Sequence, residues 1–211
     1  MPIIMIDNIP FEYEEKDITY ENAQTIDKSI AKSNLLDFKN VIDEYGIICL
    51  LMHGTLLGAI REHNFISHDI DIDLCTFDET SLIKIIPILA EKKLLLCRHT
   101  SGHTYSFMRD GVYIDVYIVK KANMFWRWRY YDYCYHLFPK HYLKSIEKIS
   151  FLDKEFYIPQ NPIKLLEFWY GKNWKTPIKD FPSRDRTHFV RVIRTILFPL
   201  LPLVHIIKKH L

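Results

Sequence analysis

Residues 69–75, Asp-Ile-Asp-Ile-Asp-Leu-Cys, alternate acid and apolar without a break. Successive side chains of a strand point to opposite faces, so this stretch reads as a strand with two unlike sides. Asp69, Asp71 and Asp73 share one side, and Ile70, Ile72 and Leu74 share the other. Three carboxylates facing one way repel each other, so a positive partner is expected among them. The apolar side demands a core on its own.

The neighbouring pattern supplies that core. Residues 47–52, Ile-Ile-Cys-Leu-Leu-Met, form a continuous apolar run that reads as a buried strand. Gly54 and Thr55 follow as a turn, and residues 56–63 read as a short helix pointing its N-terminus back at that turn. Upstream, apolar groups from Leu35 to Ile42 follow a helical period, with Gly46 as the stop. Residues 81–92 are helical, and Pro87 predicts either a kink or the start of a second short helix.

Residues 94–97, 104–108 and 112–119 read as strands, the last two joined as a hairpin through Arg109-Asp110-Gly111. Parity puts Tyr113, Asp115 and Tyr117 on one face of the last strand. Beyond residue 121 the chain turns aromatic and basic, and a strand pair leads into a helix near residues 162–170. The expected fold class is α/β (α+β), a small mixed sheet with flanking helices and a mainly helical C-terminal part. Residues 1–183 are expected to form one domain, with a core over 35–120, an aromatic and helical part over 121–183, and a tail over 184–211.

The chain has 211 residues, 48% hydrophobic and 26% charged, enough to bury a sizeable core and too apolar for wholesale disorder. Its formal net charge of +2 hides a basic tail, with Arg184, Arg186, Arg191, Arg194, Lys208 and Lys209 set against Asp185 alone. That asymmetry argues for a local anionic surface rather than a nucleic-acid partner. Residues 189–211 are long and apolar, but Arg191, Arg194, Pro199 and Pro202 interrupt them. A helix lying in a bilayer interface suits them better than a membrane span, and docking on the core or on a second subunit is the alternative. Cys49, Cys75, Cys97 and Cys134 lack the paired spacing of a zinc site and read as reduced thiols. The first fifteen residues have no basic start, so a signal peptide is not expected, and a cytoplasmic chain, peripheral at the inner face of a membrane, is.

Two aspartates at i and i+2 of a strand point to one face, close enough to share a divalent cation. Magnesium takes few carboxylates and fills its shell with water and phosphate oxygens. Asp71 and Asp73 are therefore candidate ligands for Mg²⁺ or Mn²⁺, with Asp115 as a third carboxylate from another strand. Gly54 lets backbone approach a phosphate, and the Thr55 hydroxyl can add a hydrogen bond. The competing reading is a polar edge strand with solvated acids, which the strong apolar residues between them disfavour.

The order strand, Gly-Thr turn, helix, Asp-x-Asp strand resembles the nucleotidyltransferase fold. More specifically, residues 53–74, HGTLLGAIREHNFISHDIDIDL, resemble the LicD/fukutin family pattern G-T-L-L-G-x-x-R followed by an Asp-rich strand. The resemblance continues at VYIDVYIV, residues 112–119, and at FLDKEFYIPQNPIKLLEFWYGKNWKTP, residues 151–177. It covers residues 35–177 in the family's order. His68, Ser67 and Asn64 depart from the family's Trp, Pro and Gly, and these touch the approach to the site.

The resemblance implies transfer of a substituted phosphate, such as phosphocholine or a polyol phosphate, from a CDP-linked donor to a hydroxyl of a glycan or lipid-linked oligosaccharide, with CMP leaving. Position by position it places Asp71 and Asp73 at the metal, Asp115 as third carboxylate, and Asp69 in support. It places Gly54, Thr55 and Arg61 next to the phosphates. Whether Asp115 is a ligand or a general base stays open. One rival is a nucleotidyltransferase that moves the nucleotide itself and releases pyrophosphate. The other is a non-catalytic member that binds glycan or lipid.

Weaker signals have bland readings beside the functional ones. His53, beside Gly54, reads equally as a nucleotide contact or as a packed histidine, whereas His68, His99 and His103 lie near the site in sequence and are not expected to act in it directly. Residues 126–131, WRWRYY, suit stacking on a base or sugar, or simple packing.

Overall fold

The computed structural model describes residues 1–18, 24–134 and 136–177. The basic-apolar tail, and with it the expected membrane contact through residues 189–211, lies outside them. Two compact units divide the chain, Met1–Ile163 and Lys164–Leu211. Among the described residues, no helix is long and apolar enough to cross a membrane.

The first unit begins with a hairpin of β1 (Ile3–Ile6) and β2 (Ile9–Glu12). Helix α1 (Lys28–Glu44) follows, capped by Asp27, whose side chain accepts from the backbone N–H of Ser29 and Ile30. Then come β3 (Cys49–Leu51), α2 (His53–Arg61) and β4 (Ile72–Thr76). Pro87 does start a second short helix: α3 (Glu79–Lys84) gives way to α4 (Ile86–Glu91). Strands β5 (Leu95–Thr100), β6 (Thr104–Arg109) and β7 (Val112–Lys121) complete the centre. The β6–β7 hairpin closes through Asp110 and Gly111, both at positive φ, as an Asp-Gly two-residue turn requires.

The part beyond residue 121, expected to be aromatic and mainly helical apart from one strand pair, holds two strand pairs before its helix. These are β8 (Tyr130–Tyr133) with β9 (His136–Pro139) and, after a 3₁₀ turn at Lys140–Tyr142, β10 (Ile146–Phe151) with β11 (Lys154–Pro159). Only α5 (Pro162–Tyr170) is helical beyond them among the described residues, and Pro162 opens it. The sheet is accordingly large, with nine strands. Its main path runs β10-β11-β3-β4-β7-β6-β5, with β4 parallel to β7, and β8 pairing with the far end of β7. The class is nonetheless the expected one, a mixed sheet with flanking helices.

Helix α1 covers one face of this sheet. Its Leu35, Phe38 and Val41 are fully buried, and the Phe38 ring meets Phe107 of β6 at 5.7 Å between centroids. The Asn34 amide donates to the carbonyls of Arg109 and Val112, tying the helix to the β6–β7 turn. Because Phe107 faces α1, its neighbour Ser106 faces away, and so does every residue aligned with Ser106 across the strands.

All four cysteines are thiols rather than disulfides. Burial pushes the Cys49 thiol up to about 12 and the Cys97 thiol up to about 11, which leaves both chemically inert.

Candidate active site

The face turned away from α1 carries a row of polar residues across four adjacent strands. Strand register sets Arg98 of β5 opposite Ser106 of β6, Ser106 opposite Asp115 of β7, and Asp115 opposite Asp73 of β4. Asp73 and Asp115 are 1% and 0% exposed, so their charges are paid for by partners rather than by water.

Those partners are in place. Arg98 Nη2 donates to Asp115 Oδ2 at 2.7 Å, and Ser106 Oγ donates to Asp115 Oδ1 at 2.5 Å. Arg98 Nε also donates to Ser106 Oγ at 3.0 Å, and the Tyr117 hydroxyl reaches Asp115 Oδ2 at 3.4 Å. Burial raises the Asp115 carboxyl above its ordinary value of 3.8, with Arg98 and Ser106 pulling it down and Asp73 pushing it further up. Arg98 thus supplies the positive partner of Asp115, the carboxylate opposite the acidic strand.

Sequence reasoning missed Arg98 and Ser106. The pairing of β5 with β6 shifts register between Leu96 and Arg98. Without that irregularity Cys97 would sit opposite Ser106, and Arg98 would face the other side of the sheet. A bulge therefore re-aims the guanidinium at the acids, and no local pattern in residues 94–100 announces it.

Helix α2 supplies the other side of the site. It starts at His53, directly after the β3 strand and Met52, so Gly54 and Thr55 form its first turn rather than a turn before it. The Gly54 N–H donates to Asp73 Oδ2 at 3.3 Å, and the fully buried Thr55 hydroxyl accepts from the Asp73 N–H at 2.9 Å. A Cβ on Gly54 would stand 2.8 Å from Asp69 Oδ1, so the space left by glycine holds the Asp69 carboxylate. Two acids thus gather at a helix N-terminus, whose dipole favours negative charge. Gly58 has a packing role: a Cβ there would meet the Asn64 carbonyl, Ile66 N at 3.1 Å and Phe65 Cα at 3.3 Å.

Strand β4 begins at Ile72, later than the alternation predicts. Asp73 lies on the strand, while Asp69 and Asp71 lie in the segment before it; both are buried, at 7% and 5% exposure. Arg61 is in the last turn of α2, about 10 Å of axial rise from Gly54, and its Nη2 pairs with Glu62 at 2.7 Å. His53 is a packed residue: its Nε2 lies 2.6 Å from the Tyr133 hydroxyl, and its ring stacks on Tyr133 and meets Tyr117 edge-on. That packing holds His53 at φ +44°, a conformation rare for a residue with a side chain.

Among the described residues, no three His, Cys, Asp or Glu side chains form a cluster able to hold a metal ion by themselves. The donor chemistry still suits a hard cation. Asp73 and Asp115 face each other across one ladder position, Asp71 precedes Asp73 by two residues, and magnesium ordinarily takes one or two carboxylates with substrate phosphates.

The LicD/FKTN/FKRP nucleotidyltransferase domain matches residues 46–161, from the end of α1 past β11. This chain belongs to that family. Human ribitol-5-phosphate transferase FKTN is 29% identical over an alignment of 163 residues that covers 71% of this chain and 34% of the human protein. The Mus musculus protein of the same name is 29% identical over an alignment of 175 residues that covers 76% of this chain and 37% of its own length. The chain thus spans about a third of the length of these curated relatives. Among solved structures, the antibiotic-resistance factor ANT(2'')-Ia aligns with a TM-score of 0.50 at 10% identity, covering 88% of this chain and all of that one. At such low identity the likeness concerns the fold alone.

Proposed function

We propose that this LicD-family chain transfers a substituted phosphate from a CDP-linked donor to a glycan hydroxyl and releases CMP. The observation that carries this reading is the row Arg98–Ser106–Asp115–Asp73, buried in all but Arg98, beside the first turn of α2. Asp73 and Asp115, with Asp71 two residues before Asp73, are the residues that would offer carboxylates to Mg²⁺ or Mn²⁺, the rest of the shell coming from phosphate oxygens and water. Such an ion, when bound, neutralises phosphate charge and orients it for in-line displacement.

The chain's own groups have separable tasks. The Gly54 N–H and the Thr55 hydroxyl fix Asp73 through its carboxylate and its backbone. Arg98 and Ser106 fix Asp115, each on one oxygen, with the Tyr117 hydroxyl a longer third contact on Oδ2. In the transfer, a bond forms between the acceptor oxygen and the phosphorus bearing the alcohol, and the bond from that phosphorus to CMP breaks. The hydroxyl proton passes to Asp115 or to solvent. Asp115→Asn separates the two roles of that residue: lost metal affinity marks a ligand, whereas retained affinity with lost turnover marks a base.

The ribitol-5-phosphate transferase relatives make CDP-ribitol the first donor to test, beside CDP-choline, CDP-glycerol and CDP-ethanolamine. The expected result is metal-dependent CMP release with one of them and a mass gain of the substituted phosphate on a glycan acceptor. A gain of a nucleoside monophosphate with release of pyrophosphate overturns this reading in favour of nucleotidyl transfer, which the shared fold makes the principal rival.

A further inference from the structure

The β7–β8 connection turns its apolar side chains outward. Met124, Phe125 and Trp128 are 68%, 80% and 79% exposed, three large apolar groups within five residues. The turn is nonetheless closed: the N–H groups of Trp126 and Arg127 donate to the Asn123 carbonyl, and those of Arg129 and Tyr130 donate to the Trp126 carbonyl. Trp126 is half-buried against the Tyr130 ring, at 5.8 Å between centroids. One aromatic residue therefore anchors the turn while the others project from it.

Water is a poor environment for such a projection, and its surroundings say what suits it better. Lys121, Arg127 and Arg129 are exposed around it, and the Arg127 guanidinium lies 5.3 Å from the centre of the Trp128 ring. No acid occurs between residues 116 and 131, and the nearest beyond, Asp132, is set back along β8. Exposed Trp, Phe and Met ringed by cations match the boundary between acyl chains and anionic headgroups. The turn also stands off from the catalytic row, since the six residues from Asp115 to Lys121 extend about 20 Å along β7.

We propose that residues 123–129 form a membrane-contact turn that seats Phe125 and Trp128 in the interface of an anionic bilayer, with Arg127 and Arg129 on the headgroups. This proposal is independent of the transfer reaction, because its test reads lipid contact rather than turnover. Two of the four tryptophans, Trp126 and Trp128, lie in this turn, the others are Trp169 and Trp174, and residues 184–211 contain none, so the emission difference between the wild-type chain and Trp128→Phe reports on this turn.

The test uses the full chain with vesicles of phosphatidylcholine and phosphatidylglycerol carrying brominated acyl chains. Quenching of tryptophan emission is expected, with most of it lost in Trp128→Phe. Phe125→Ser is expected to lower vesicle partition about tenfold, and Arg127→Gln/Arg129→Gln to remove the preference for anionic over neutral vesicles. Because all these side chains are exposed, unchanged circular dichroism is expected throughout. Absence of quenching, or quenching indifferent to Trp128→Phe, overturns the proposal. So does a Trp128 emission change produced by soluble oligosaccharide without any quenching by vesicles, which would make the turn a glycan surface.

Discussion

Asp73→Asn is expected to lower CMP release by about a thousandfold or more while leaving the fold intact. The carboxylate is 1% exposed, stands opposite Asp115 across the β4–β7 ladder, and accepts from the first turn of α2. Asparagine keeps the shape and can keep the Gly54 hydrogen bond, but it removes the charge on which cation binding depends. Stability moves the other way if it moves at all, because Asp73 is one of the groups that raise the Asp115 carboxyl. Removing that repulsion leaves the melting temperature equal or slightly higher. Asp71→Asn is expected to follow the same pattern of lost turnover in a folded chain. Thermal unfolding and a CMP-release assay on the same preparations check both halves, and near-normal turnover in the Asp73 variant contradicts the role assigned to it.

Arg98→Met is expected to be the strongly destabilising change, by about 2–3 kcal/mol at neutral pH. It leaves the wholly buried Asp115 charge without its ion pair, and a quarter of the Arg98 side chain is exposed, which holds the loss below that of a fully buried pair. The pH dependence has a definite sign. Burial already raises the folded Asp115 carboxyl above 3.8, and Arg98 is the largest influence holding it down. Without Arg98 it rises further, so between the ordinary and the raised value the folded state binds more protons than the unfolded state. Stability then falls as pH rises through that window. The deficit of Arg98→Met is therefore smaller at acid pH, as the Asp115 carboxyl takes up its proton, and larger at neutral pH. Adding Asp115→Asn to Arg98→Met restores most of the loss, which denaturant midpoints across pH can verify. An equal deficit at both pH values would show that Arg98 acts by packing and not through Asp115.

Much of this site was legible before any coordinates, and the parts that were not share one cause. Alternation in residues 69–75 and 112–119 placed Asp73 and Asp115 on definite faces, and Asp110-Gly111 announced its hairpin through turn chemistry. These are local signals. That Asp73 lies opposite Asp115 is a matter of parallel register, which no stretch of sequence encodes by itself. Arg98 was illegible for a stronger reason, because plain alternation puts it on the wrong face and only the irregularity after Leu96 corrects it. The start of α2 at His53 was missed because a positive φ at that residue depends on the distant Tyr133 ring and hydroxyl. Residues 130–139 gave no strand signal because Tyr-Tyr-Asp-Tyr and His-Leu-Phe-Pro do not alternate; their strands β8 and β9 exist through pairing with β7 and with each other.

The central claim is that Asp73 and Asp115 form the cation-binding heart of a LicD-type transfer site. Calorimetric titration of Mn²⁺ into the full chain in the presence of CDP tests it most directly. The account predicts one binding site in the wild-type chain and its loss in Asp73→Asn, with both chains folded. Equal Mn²⁺ affinity in the two would contradict it.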